Sequence, residues 1–322
     1  MAAAVEQMVY FGEVPWHGLG KKVDEAMTSA EALKEAGLDW EVEMRDIFTL
    51  DQDKEYKQII TSQSVVRLTD DSVLGVVGSR WRPLQNKDAF KFMDDIVGEK
   101  LAMFHTAGSL NGGRRVWMLA QLPGNITVKG KDTIGKFLLL ANGFDGSLAV
   151  TIQMTPIRVV CANTLSAAIE GRTQTRWKLS HTESVANKVE DVREQLGLIN
   201  HQFDQAGLIF NALADIQWKE DQVKDYLLKL IPDNPEAKTT TRTENTRAHI
   251  LSLYDRGGIG LNDPETKHTA WAAYNAVVEY YDWHRGQSND TRMKSAWFGE
   301  TYGKRQDALS TAIEMSDLKS VA

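Results

Sequence analysis

From Leu101 to Thr182 the chain is a succession of short apolar runs cut by glycine, and few folds accept such a pattern. Runs of five to eight residues bounded by turn residues are strands rather than helices. Asn111-Gly112-Gly113, set between Met103–Leu110 and Arg114–Gln121, is a hairpin turn signature. Lys136–Asn142 and Leu148–Met154 flank Gly143-Phe144-Asp145-Gly146 as a second hairpin. Pro156 is expected to reset the chain before Ile157–Cys161, Asn163–Ile169 to make one or two helical turns ended by Gly171, and Arg172–Leu179 to return as an edge strand whose charges discourage stray pairing. The charge of this stretch is unusual. It holds nine Lys and Arg against three Asp and Glu, although the whole chain is −7, so the flanks are strongly acidic.

Those flanks read mainly as helices and a second sheet. Phe11–Lys22 holds three glycines, a proline and a tryptophan, which suits an ordered loop. Thr28–Ala36 carries a Thr28 cap with Glu31 at the capping-box spacing and Gly37 as its stop. Trp40–Leu50, Gln58–Leu68 and Ser72–Val77 alternate or are β-branched and predict an antiparallel meander. Asn86–Val97 has Phe90, Met93 and Val97 at helical spacing. Beyond His181, Val185, Val189, Val192, Leu196, Ile199, Phe203 and Ala206 repeat with a helical period, so Glu183–Ala214 is expected to be one long amphipathic helix. A helix over Lys219–Leu230 is stopped by Pro232 and Pro235. Lys238–Asn245 is polar and threonine-rich and reads as a linker. Helices then follow over Thr243–Tyr254, Thr266–His284 and Lys304–Met315.

The expected fold class is therefore α+β, an antiparallel β-sheet core with a long amphipathic helix and a helical C-terminal region. The expected domains are 1–182, a sheet domain with the basic stretch; 183–237, the long helix plus a short one; and 238–322, the helical region after the linker. With 322 residues, 42% hydrophobic and 25% charged, the chain can bury a sizeable core. Its longest apolar runs fall far short of the ~20 residues of a membrane helix. The opening segment has no basic stretch followed by an apolar one, so the expected location is cytoplasmic. One cysteine, Cys161, excludes an intrachain disulfide and a cysteine-based zinc site.

Few residues look like chemistry. His17-Gly18-Leu19-Gly20-Lys21-Lys22 could hold a phosphate through backbone N–H groups, but its spacing is not that of a P-loop and a tight turn with a solvated basic edge explains it. The seven histidines show no metal-ligand spacing. His105 lies on an expected strand as a half-buried or exposed residue, and Cys161, at a strand-to-helix junction without a nucleophile motif, reads as packing. Asp70-Asp71 and Asp94-Asp95 are adjacent and diverge. No catalytic residue, metal or cofactor is implied, and the chain reads as a non-enzyme.

Tryptophan recurs beside cations, in Arg80-Trp81-Arg82, Arg114-Arg115-Val116-Trp117 and Arg176-Trp177-Lys178. Single-strand nucleic-acid grooves need cations for phosphates and flat rings for bases. Neighbours on a strand face opposite sides, so Arg80 and Arg82 would share one face while Trp81 packs beneath. Core tryptophans with solvated flanks and a nucleic-acid surface both fit this pattern. The glycine-rich tip Gly108–Arg115 is the strongest candidate, because a flexible hairpin with two arginines can reach a backbone.

VPWHGLG (Val14–Gly20), AGLDW (Ala36–Trp40), RWRPLQNKDAFKFMDDIVG (Arg80–Gly98), TAGSLNGGRRVWMLAQLP (Thr106–Pro123) and TPIRVVCANTL (Thr155–Leu165) together resemble the phage- and plasmid-borne family of unknown function numbered 932. RTENTR and WAAYNAVVEYYD extend the resemblance into the C-terminal part. It implies a mobile-element context and carries no activity or catalytic residue. In outline the chain is also similar to phage single-strand annealing proteins, an analogy of fold only. The expected function is a phage or mobile-element DNA-metabolism protein that binds or anneals single-stranded DNA and self-associates, with Arg80, Arg82, Arg114, Arg115, Arg158, Arg176 and Lys178 on phosphates. The alternative is a non-enzymatic interaction module that inhibits or redirects a host factor through its acidic helices.

Overall fold

The structure is a computed structural model, and it describes residues 5–11, 21–23, 28–97, 103–158, 176–185, 187–188, 199–233, 241–285 and 300–318. The chain forms two compact units, one of residues 1–123, 137–154 and 176–198 and the other of residues 124–136, 155–175 and 199–322. Antiparallel sheets and a helical C-terminal half make it an α+β protein. No helix among the described residues is long and apolar enough to cross a membrane.

The first unit is built on a seven-stranded sheet. Its strands are β1 (Val5–Phe11), β2 (Lys21–Val23), β6 (Met103–Leu110), β7 (Arg115–Val128), β8 (Asp132–Gly143), β9 (Val150–Arg158) and β10 (Arg176–Leu179), in the order β10-β9-β8-β7-β6-β1-β2. The β6–β7 hairpin turns at Asn111-Gly112-Gly113, all three at positive φ, as that sequence requires. β10 is the edge strand, as its charges predict. On β10 the two-residue alternation holds: Trp177 is buried, Arg176 half-buried and Lys178 exposed.

Several boundaries differ from the sequence expectation. β7 runs on through Pro123 and Gly124 to Val128, because its pairing with β6 ends at Gln121 and Pro123 has no β6 ladder to complete. Pro156 lies inside β9 rather than before a new strand, past the stretch Val150–Gln153 that pairs with β10. Val5–Phe11 and Lys21–Val23 are strands at the two ends of the expected loop. Arg80-Trp81-Arg82 follows β5 in a turn, so the strand alternation does not apply to it. Cys161, Asn163–Ile169 and Arg172 lie outside the described residues.

Helix α1 (Ser29–Glu35) starts where its sequence says it should. Thr28 Oγ1 accepts from the Glu31 amide at 3.3 Å and Glu31 Oε2 accepts from the Thr28 amide at 2.8 Å. α1 packs on α2 (Asn86–Val97), which buries Ala89, Phe90 and Met93. The meander forms its own antiparallel sheet of β3 (Val42–Leu50), β4 (Tyr56–Arg67) and β5 (Ser72–Gly78). β5 pairs only with Ser62–Arg67, so the distal part of the β3–β4 hairpin is a two-stranded arm. Phe48 pairs with Gln58 and Leu50 with Tyr56, which puts Phe48, Leu50 and Tyr56 on one face, with Ile60 further along β4. Tyr56 is 79% and Ile60 80% exposed.

The second unit joins the hairpin end Gly124–Lys136 to helices α3 (Ile199–Asp215), α4 (Glu220–Leu230), α5 (Thr241–Arg256), α6 (Ala270–Glu279) and α7 (Glu300–Met315). Within the expected long helix, Ile199–Asp215 is helical and buries Phe203, Ala206, Phe210 and Leu213; residues 189–198 lie outside the described part. Thr241–Asn245, expected in a linker, are the first turns of α5. α6 is buried at every position and continues into a π-helical turn, Tyr280–His284, closed by a bond from the Arg285 amide to the Tyr280 carbonyl at 2.9 Å. Asn211 holds the hairpin end by donating to the Thr127 carbonyl at 2.9 Å and accepting from the Lys129 amide at 3.0 Å.

Inside this unit Arg305 on α7 meets Asp282 of the π turn at 2.9 Å, and the two are 1% and 2% exposed. Removing one partner leaves the other charge buried, whereas apolar replacement of both removes the desolvation cost as well. Asp282→Asn or Arg305→Met is expected to lower unfolding free energy by about 3–5 kcal/mol in urea melts. The double variant Asp282→Leu/Arg305→Met should recover most of that loss.

Candidate nucleic-acid interface

The expected cations do not share an open sheet face. β8 is buried continuously from Ile134 to Gly143 and β7 from Val116 to Ala120, so both faces of the central strands are covered. Cations are presented instead from turns and from the β10 edge, and several of them gather around the loop that joins β8 to β9.

That loop, Phe144–Ala149, is tightly held. Asp145 Oδ1 accepts from the Ser147 amide at 2.9 Å and from its hydroxyl at 2.6 Å, and the Phe144 amide donates to the Arg114 carbonyl at 2.8 Å. Arg115 donates from Nη2 to Ser147 Oγ at 2.8 Å, with Nε 4.0 Å from Asp145 Oδ2. Arg115 therefore braces the loop. Gly75 of β5 passes so close that a Cβ there would lie 2.5 Å from the Asp145 Cα, which brings the end of β5 and the Arg80-Trp81-Arg82 turn to this end of the sheet.

His181, just beyond β10, completes the cluster. Its carbonyl accepts from the Arg82 amide at 3.2 Å, and its Nδ1 lies 3.1 Å from the Arg82 carbonyl. Its ring stacks on half-buried Trp81, centroids 4.6 Å apart and planes at 24°. Burial holds the imidazole below the usual histidine range, against the opposing effect of the Arg82 and Leu148 backbone bonds. Trp81 is thus clamped on one side by His181 rather than sunk in the core, whereas Trp117 and Trp177 are core residues. No sequence pattern links Trp81 to His181 across 100 residues, so this pair was not legible beforehand.

Arg80 and Arg114 are exposed at turns and Lys178 on the edge strand. Arg82 Nη1 donates to the Ser79 and Trp81 carbonyls, both at 2.8 Å, which orients its guanidinium. Arg80, Arg82, Arg114 and Lys178 have no carboxylate partner among the described residues. Arg176 is half-buried opposite Gln153, and Arg158 ends β9 with its side chain outside the described part. Other cations of the basic stretch are neutralised within the helical unit: Lys129 by Asp215, Lys131 by Glu265 at 2.8 Å and Lys136 by Asp204 at 3.2 Å.

His105 is the extra residue of a β-bulge, since Phe104 pairs with Ala120 and Thr106 with Leu119. Its ring packs edge-on to Phe137 at 5.2 Å, and Nδ1 is buried without a hydrogen-bond partner among the described residues. Among the described residues no group of three or more His, Cys, Asp or Glu side chains is arranged to hold a metal.

The site is thus an unpaired cationic rim on the end of an α+β sheet, braced by buried or ion-paired neighbours. The chain belongs to the family described as Domain of unknown function (DUF932), whose model matches residues 73–298. No curated protein and no solved structure matches it.

Burial of His105 in apolar surroundings pushes its pKa down to about 4. The folded protein therefore keeps His105 neutral where the unfolded chain would bind a proton. Its contribution to stability is full above pH ~6.5 and is lost as pH falls toward 4, worth roughly 3 kcal/mol at most. Urea melts at several pH values are expected to show this loss in the wild type and a flatter profile in His105→Gln.

Proposed function

We propose that this protein binds single-stranded DNA in phage or mobile-element DNA metabolism, and that it acts as a self-associating, non-enzymatic protein. The observation that carries the reading is the rim of Arg80, Arg82, Arg114 and Lys178, which lack acidic partners among the described residues beside a tryptophan held on one face by His181. Surface cations that end in ion pairs are already neutralised, as Lys131 is by Glu265; these four are left to meet phosphates. The half-buried Trp81 offers its remaining surface to a base, a contact worth about 1–3 kcal/mol where it forms. Arg115 has the supporting role of fixing the β8–β9 loop.

In anisotropy with a labelled oligothymidine at low salt, the wild type is expected to bind at micromolar protein or better. Arg80→Ala/Arg82→Ala/Arg114→Ala should weaken binding by about tenfold or more and flatten the log-affinity against log-salt slope by about 2. Wild-type binding that survives this triple variant unchanged rejects the rim as the contact surface.

The β3–β4 arm supports self-association. Of the ten exposed large apolar residues among the described part, four, Phe48, Leu50, Tyr56 and Ile60, lie on this arm. A two-stranded ribbon is marginal alone in water, and exposed apolar residues on one face mark a docking surface. A second copy of the chain is the occupant this reading assigns, since beyond Val42, which Gln85 caps, β3 is an edge strand with no further strand beside it among the described residues. Light scattering should find an oligomer that Phe48→Ser/Tyr56→Ser converts to monomer without loss of fold. A wild type that is monomeric at tens of micromolar would turn the arm into support for the second reading, an interaction module that docks on a host factor.

A further inference from the structure

A separate feature lies wholly within the helical unit. On α5, Arg242, Asn245, Thr246 and His249 follow the i, i+3, i+4, i+7 spacing of a single helix face. That spacing ordinarily marks an apolar stripe, yet these four are polar, and the apolar burial of α5 falls on Ile250 and Tyr254 instead. With Thr241 and Tyr280 they line an open groove of about 500 Å³.

The groove is shaped by the π turn. α6 is buried throughout, and it reaches the surface at Tyr280, where the wider i→i+5 turn begins. This carries Tyr280 and His284 to His249, whose ring lies edge-on to Tyr280 at 5.3 Å and 4.7 Å from His284. The Tyr280 hydroxyl is 3.3 Å from Thr246 Oγ1.

Among the described residues the groove lining holds a guanidinium, an imidazole, a phenol, an amide and two hydroxyls, and no carboxylate. Glu279, next to Tyr280, is buried and does not line the groove; its Oε2 accepts from the Ile259 amide at 2.9 Å and its Oε1 lies 3.7 Å from Nε2 of His284, the ring that neighbours His249. Arg247, one residue past Thr246, is consumed by Asp233 at 2.7 Å and the Ile231 carbonyl at 2.6 Å. Arg242 has no ion-pair partner among the described residues. A convergent set of donors around an unpaired guanidinium suits a tetrahedral oxyanion.

We propose that this groove binds a phosphate monoester, with Arg242 as the charge partner and His249, Tyr280 and Asn245 as hydrogen-bonding groups; the Thr246 hydroxyl is committed to the Arg242 carbonyl at 2.9 Å. The ligand is either the terminal phosphate of a nucleic acid or a free phosphate compound. The site does not depend on the cationic rim, and either can fail without the other.

Titration of the full chain with inorganic phosphate, followed by the imidazole NMR signals of His249 and His284, tests it. Saturable shifts are expected in the wild type, with at least tenfold weaker binding in Arg242→Gln and partial recovery in Arg242→Lys. Absence of saturation at tens of millimolar phosphate, or equal behaviour of Arg242→Gln, overturns the proposal. If phosphate binds, 5′-phosphorylated and 5′-hydroxyl oligonucleotides then identify the source. Tighter binding of the phosphorylated strand that Arg242→Gln abolishes supports a nucleic-acid end, and no difference supports a free phosphate compound. Loss of oligonucleotide binding in Arg114→Ala with an intact phosphate response separates this site from the rim.

Discussion

Burial of both faces of β8 governs where everything polar can go. A strand hidden continuously from Ile134 to Gly143 needs cover on each side, and any cation on it must find a partner within reach. Lys136 is the one cation on that run; its ammonium reaches Asp204 and lies 5.8 Å from the Phe203 ring centre. Buried polar side chains on β9, Thr151, Gln153 and Thr155, extend the same closure to the neighbouring strand. Charge is thereby displaced to strand ends, turns and the β10 edge.

The displacement divides the basic stretch into two populations. Lys129, Lys131 and Lys136 are answered by Asp215, Glu265 and Asp204 of the helical unit, so these three carboxylates neutralise cations inside their own unit. Exposed pairs of this kind contribute little to stability each. Asn211, which completes backbone bonds at the hairpin end with both an acceptor and a donor, is the more specific tie. Arg80, Arg82, Arg114 and Lys178 form the other population. Their isolation from carboxylates is a property of the fold around the β8–β9 loop, where Asp145 is engaged by Ser147 and lies beside Arg115.

Local signals were readable wherever a few consecutive residues decide conformation. The Thr28–Glu31 capping box, the Asn111-Gly112-Gly113 turn, the β3–β4–β5 meander and the edge position of β10 all follow from sequence spacing. Pro156 and the threonines before Asn245 misled. Pro156 sits in β9 past the stretch that pairs with β10, where its missing amide leaves that ladder intact, and the threonines, modest helix formers, are anchored, Thr243 to Asp233 at 3.1 Å.

The sequence by itself determined the α+β class, most element positions, the family and the list of cations, because periodicity, capping and turn chemistry are encoded within a few residues of one another. Only the tertiary structure decided which cations lack a carboxylate partner among the described residues, that Trp81 stacks on His181, that His105 is a bulge residue packed on Phe137, and that Arg242, His249 and Tyr280 line one groove. Ion pairing, desolvation and ring stacking depend on distances between residues up to 134 positions apart, as from Lys131 to Glu265. Composition and spacing carry no information about such distances until the chain has folded.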